Sequence, residues 1–116
     1  METTPFELKD YETPDGRCPF QEWYSELVEK DLRSAVALEK RIRRLEHGLL
    51  GDFKEIEDGI LELRIHLGPG FRLYVRQIGK TMMLLLVGGE KSNQEQDIRK
   101  AFKYWYEFKS RNKGVK

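Results

Sequence analysis

The stretch Leu61-Glu62-Leu63-Arg64-Ile65-His66-Leu67, the turn Gly68-Pro69-Gly70, and then Phe71-Arg72-Leu73-Tyr74-Val75-Arg76 alternates at period two on both sides of the turn. Successive side chains of a strand point to opposite faces, so this is a β-hairpin with one apolar and one polar side. Leu61, Leu63, Ile65, Leu67, Phe71, Leu73 and Val75 fall on one side; Glu62, Arg64, His66, Arg72, Tyr74 and Arg76 fall on the other. Working outward, Phe53 to Glu57 reads as a preceding strand that turns at Asp58-Gly59. Gly79-Lys80 reads as a turn into Met82 to Val87, a continuous apolar run of the kind expected when both faces are covered. Gly88-Gly89 is expected to end that strand.

Upstream the period is 3.6. Pro19 is a favourable first helical residue, and Phe20, Trp23, Tyr24 and Leu27 make one stripe. Asp31 reads as the N-cap of a second helix with Ala35, Leu38, Ile42 and Leu45 inward and Gly48 just beyond its end. The tight Lys30-Asp31 junction predicts an antiparallel helical hairpin. Arg33, Lys40, Arg41, Arg43 and Arg44 occupy the rest of the second helix, either as a solvated face or as an RNA contact. Phe6-Glu7-Leu8 is a short strand signal and Thr13-Pro14-Asp15-Gly16 a turn. A last helix is expected from Ser92, with Ser92 and Glu95 at capping-box spacing and Ile98, Ala101, Phe102, Trp105 and Phe108 as its stripe. The expected class is α+β: one domain over residues 1–116, with an N-terminal helical hairpin packed on one face of a small antiparallel sheet, plus a C-terminal helix. The other face, over two strands, is expected to remain polar and basic.

Composition narrows the function. A chain of 116 residues has room for one core, to which six Phe, five Tyr and two Trp contribute. One Cys excludes an internal disulfide and a Cys-rich zinc site, and suits a reducing cytoplasm. No apolar run approaches a membrane span, and Met1-Glu2-Thr3-Thr4-Pro5 lacks the regions of a signal peptide. The net charge of +1 conceals a gradient: residues 1–30 hold eight acids and three bases, and residues 99–116 seven bases and one acid. Such a head and tail imply either an intramolecular contact or a nucleic-acid contact. There is no HExxH, G-x-S-x-G or P-loop spacing, and two His without a Cys cluster make no case for a metal. His47, at a helix end, reads as structural.

The polar face carries the chemistry. Arg64, Arg72 and Arg76 share it with Tyr74, and like charges on neighbouring strands cost stability. Either this is an ordinary solvated strand face, or it gathers Arg forks for an anion such as phosphate. Lys91 follows the two glycines and precedes a helix start, a second anion-favouring position.

Several ordered motifs resemble a known family: Asp58-Gly59-Ile60-Leu61-Glu62-Leu63-Arg64-Ile65; Gly68-Pro69-Gly70-Phe71-Arg72-Leu73-Tyr74; and Leu85-Leu86-Val87-Gly88-Gly89-Glu90-Lys91-Ser92-Asn93-Gln94-Glu95-Gln96-Asp97-Ile98. The Phe20-x-x-Trp23 helix and Arg44-Leu45-x-x-Gly48-x-x-Gly51-Asp52-x-Lys54 agree. Together they resemble the phage-derived HigB-like branch of the RelE/ParE toxin superfamily. The resemblance implies the toxin of a type II toxin–antitoxin pair in the cytoplasm. It further implies a ribosome-dependent mRNA endoribonuclease without metal or cofactor, bound by a cognate protein antitoxin, often of helix-turn-helix type, in a hetero-oligomer. By that resemblance Arg64 and Arg72 bind phosphate oxygens while the 2′-OH attacks, Lys91 stabilises charge or protonates the leaving 5′ oxygen, and Tyr74 orients or stacks on a base. Lys54, His66, Arg76 and Gln94 are expected along the RNA. The general base stays open: Tyr and Lys titrate near ~10 unless cations depress them, whereas His66 has the better intrinsic value. A non-catalytic RelE-like binding protein and a ParE-like gyrase inhibitor are the alternatives.

Overall fold

The computed structural model describes residues 5–112. The end of the basic 99–116 segment and the first four residues lie outside the described residues. The elements are β1 (Glu7–Asp10), α1 (Pro19–Lys30), α2 (Leu32–Glu46), β2 (Phe53–Glu57), β3 (Ile60–Ile65), β4 (Phe71–Ile78), β5 (Met82–Glu90), a 3₁₀ turn (Lys91–Asn93) and α3 (Gln94–Arg111). The class is α+β.

Local chemistry sets the helix ends. Pro19 opens α1. Asp31 alone separates the two helices; its carboxylate accepts from the Ser34 amide at 3.2 Å and from the Ser34 hydroxyl at 2.6 Å. At the far end Gly48 takes φ 86°, its amide donating to Leu45 and that of Leu49 to Arg44, a paired closure that requires a left-handed residue. The capping box expected at Ser92 does not form. Lys91–Asn93 is a 3₁₀ turn, and Asn93 precedes α3 without a side-chain cap bond.

The sheet order is β1-β5-β4-β3-β2. The meander β2 to β5 is antiparallel, as the alternation predicts, but β1 adds to β5 in parallel, so the sheet is mixed. α1 and α2 lay Phe20, Leu27, Leu38, Ile42 and Leu45 on Leu63, Ile65, Leu73 and Val75. The opposite face is also covered. α3 packs Ala101, Trp105 and Phe108 on Ile60, Tyr74, Leu84, Leu86 and Val87, correcting the expectation of an open polar face. The stripe of α3 needed an apolar partner, and β5 supplies it. A register shift between Tyr74 and Val75 leaves Leu86 unpaired in the ladder, so that Leu86 and Val87 both serve this second core.

The glycines of β5 are packing residues. Gly88 and Gly89 lie inside the strand instead of ending it. A Cβ on Gly88 would sit 2.5 Å from the Trp23 ring, and one on Gly89 1.9 Å from the Asp97 carboxylate. They admit a helix on each face, rather than bringing backbone to a ligand. The head and tail of the charge gradient meet within the molecule: Arg111 donates to the Glu12 carbonyl at 2.6 Å, and the Tyr11 hydroxyl to Glu107 at 2.5 Å.

Candidate functional site

The registers Arg64↔Arg72 and Glu62↔Tyr74 put these four side chains on one face, next to each other. At their centre is Glu62, 1% exposed. One carboxylate oxygen accepts from Gln94 at 2.7 Å and Tyr74 at 3.0 Å. The other accepts from Arg64 Nε at 3.3 Å and lies 3.9 Å from Arg72 Nε. Burial alone would raise the Glu62 pKa. The bonds from Gln94, Tyr74 and Arg64, with the charge of Arg72, outweigh it and hold the carboxyl below its ordinary value. Two guanidiniums thus share one carboxylate and keep a net positive charge between them. Arg72 is 7% exposed, and its Nε finds no hydrogen bond among the described residues.

This arrangement removes Tyr74 from direct substrate contact. It is fully buried, and burial with the adjacent Glu62 carboxylate raises its pKa well above the ordinary 10.0. The expectation that it stacks on a base is corrected: Tyr74 is a strut for Glu62. Arg76, expected along the RNA, stands apart from this group. It pairs with Ile60 at the other end of β3, lies 4.4 Å over the Trp105 ring, and donates to the Asp58 carbonyl at 2.7 Å. Gln94 is bonded to Glu62, which gives it a positioning place. Lys54 projects beside Glu62 from the edge strand β2 and is exposed.

Two clefts open at the hairpin end of the sheet, and His66 lines both. The first, 330 Å³, runs over Gly68-Pro69-Gly70 between Arg72 and Lys91. Gly70 takes φ 84°, and its carbonyl accepts from the Lys91 amide at 2.9 Å, which ties the hairpin tip to the turn before α3. The second, also 330 Å³, is bounded by Arg64, Asp52 and the α2 residues Lys40, Arg41 and Arg44. His66 Nε2 is 2.6 Å from Asp52. The bond from His66 is the main reason that the Asp52 carboxyl titrates below its ordinary value. With Nε2–H donating to Asp52, Nδ1 is free to accept a proton.

Of the sequence-derived residues, then, Arg64, Arg72, His66 and Lys91 converge on adjoining clefts. Tyr74 and Gln94 stand beneath them, Lys54 beside them, and Arg76 apart. Sequence reasoning missed the hub role of Glu62, the partnership of Asp52 with His66, and the burial of Arg41, which it set on the basic face of α2. The signal for Arg41 was its place between Leu38 and Ile42 on the buried stripe of α2, where it is 8% exposed.

No protein-family model matches the chain. A protein of Haemophilus influenzae named "Uncharacterized protein" is 44% identical over 82 residues, which are 71% of this chain and 81% of that one.

Proposed function

The chain belongs to one family with the Haemophilus influenzae protein, and we propose that it is the RelE-like, HigB-related toxin of a type II toxin–antitoxin system, cutting mRNA on the ribosome without metal or cofactor. The observation that carries this reading is the convergence of Arg72 and Lys91 with His66 at one cleft, and of Arg64 with His66 at the next. In the proposed reaction the RNA 2′-OH attacks its own 3′ phosphate. The P–O2′ bond forms and the P–O5′ bond breaks, giving a cyclic phosphate and a free 5′-OH. His66 Nδ1 accepts the 2′-OH proton, with Asp52 holding the ring in place through Nε2. Arg64 and Arg72 stabilise the charge that develops on phosphorus oxygens. Lys91 donates the proton to the leaving 5′ oxygen. Tyr74 and Gln94 act through Glu62, which sets the two guanidiniums.

The partner in this reading is a protein antitoxin. An open apolar groove formed by Leu32, Val36 and Leu67 and flanked by Arg33 and Lys40 supports docking of an amphipathic segment with acidic flanks along the helical hairpin. Leu32 is 62% and Val36 47% exposed. A second reading, a RelE-like scaffold that binds RNA without cutting it, is favoured by one specific observation: Glu62 already engages both Arg64 and Arg72.

Induced expression of the wild type, Lys91→Ala and His66→Ala tests the choice. Lys91 and His66 are both exposed, so neither change threatens the core. Growth arrest with mRNA ending in cyclic or 2′/3′ phosphate, lost in both variants, is expected. Arrest with intact mRNA and damaged DNA refutes the nuclease in favour of gyrase inhibition. Wild-type RNA binding without any cut ends supports the scaffold.

A further inference from the structure

The second cleft holds more cation than a solvated helix face requires. Arg41 forms its floor with a guanidinium pressed against the backbone of Gly51; a Cβ there would lie 2.8 Å from it, and Gly51 has φ +64°. Arg41 Nη2 donates to the Asp52 carbonyl at 3.0 Å, while Nη1 is buried without a partner among the described residues. A buried cation without a direct ion pair is costly, and burial, with repulsion from Arg44, outweighs the charge of Asp52 and lowers the Arg41 pKa. Lys40, Arg44 and Arg64 stand around the same opening. The acid at hand, Asp52, is bonded to His66. The cleft therefore sets four cations, Lys40, Arg41, Arg44 and Arg64, against one carboxylate, Asp52, which His66 already holds, and His66 joins it to the cleft of Arg72 and Lys91.

We propose that Lys40, Arg41 and Arg44, with Arg64, form a second phosphate subsite, which holds a backbone phosphate of single-stranded RNA next to the one at Arg72 and Lys91. This rests on the RNA reading above and extends it: the strand runs from the hairpin tip across His66 onto α2. Arg41 acts from below through its field, which the low dielectric of its site strengthens. The exposed Lys40 and Arg44 make the direct contacts. His66 lines both clefts, so the strand is held on both sides of it.

The experiment measures binding of a 2′-O-methyl 12-mer, which cannot be cut by 2′-OH attack, across a series of salt concentrations. It compares the wild type with Lys40→Ala/Arg44→Ala, two exposed positions outside the core. Each lost phosphate contact on a single strand flattens the log–log salt slope by about 0.7, so the double variant should bind with a slope shallower by about 1.4. A 2′-O-methyl dinucleotide, too short to reach α2, should bind both proteins equally. An unchanged slope, with the wild type still binding the 12-mer, overturns the subsite and leaves the RNA reading intact. A flattened slope in a protein that cuts no mRNA on ribosomes supports the subsite and refutes the nuclease. If the wild type fails to bind the 12-mer but binds poly-glutamate in a Lys40- and Arg44-dependent way, the cleft serves an acidic protein partner and the subsite proposal falls.

Discussion

Replacing Glu62 by Gln keeps the side chain's shape and removes the charge on which four donors converge. Glu62 accepts three hydrogen bonds, from Gln94, Tyr74 and Arg64, and faces Arg72. A bond to a charged group contributes roughly 1 kcal/mol more than a neutral one, so three of them put the loss at about 3 kcal/mol. Disrupting one partner of a buried ion pair gives a similar figure, about 3–5 kcal/mol. For a domain of this size that is a fall in Tm of roughly 12 °C, at about 4 °C per kcal/mol. The pH dependence has a definite sign. The folded Glu62 pKa lies below its ordinary 4.5, so its contribution is complete above pH 4.5 and fades as the pH falls through the folded value. Thermal unfolding of the wild type and Glu62→Gln from pH 7 downward should show a constant gap above pH 4.5 that closes on acidification. Equal Tm values at pH 7, or a gap that widens in acid, would refute the view of Glu62 as the charged hub. The same variant frees Arg64 and Arg72 from their shared carboxylate, so its affinity for a single-stranded RNA should rise while its stability falls.

Gly88→Ala should destabilise the fold by about 1–3 kcal/mol, read from the urea midpoint, because the new methyl meets the Trp23 ring at 2.5 Å and Phe20 at 3.1 Å. Asp97 is 6% exposed, one of its oxygens has no partner among the described residues, and burial raises its pKa above 3.8. A raised carboxyl destabilises the fold once the pH has climbed through the folded value, so Asp97→Asn should stabilise at pH 7, with the gain vanishing below pH 3.8 in a denaturant titration. Arg76→Ala should cost about 1 kcal/mol and alter Trp105 fluorescence through the lost 4.4 Å contact, yet leave RNA affinity unchanged. A large loss of RNA affinity would return Arg76 to the binding face.

Much of the fold could be read from residue spacing. Period-two alternation from Leu61 to Arg76 placed Arg64, Arg72 and Tyr74 on one side, and the register agrees. Asp31 and Gly48 marked the bounds of α2 by side-chain and backbone chemistry that needs no distant partner. What stayed hidden depended on contacts across the chain. A strand pattern says which face a residue occupies but not what will cover it, so Tyr74 looked available until α3 lay over it. The clue was present in the both-sided apolarity of Met82 to Val87, since a sheet with a buried central strand needs a layer on each side. Charge was the other blind spot. Glu62 stood among the arginines in the alternation, but only the fold shows that one carboxylate serves two guanidiniums. The parallel pairing of β1 had no local signal, because its partner β5 lies far along the chain.

That pairing also imposes an order of events. Glu7 is matched with Met82, so the first strand has no mate until most of the polypeptide exists. At ~5–20 residues per second the ribosome takes roughly 4–15 s to travel from one to the other. During this interval the two helices can already form, while the apolar surface that β5 will give them has not been made. A message truncated before β5 therefore yields a chain lacking the strand that joins β1 to the rest of the sheet, and with it Lys91: shape and chemistry mature in the same late step of translation.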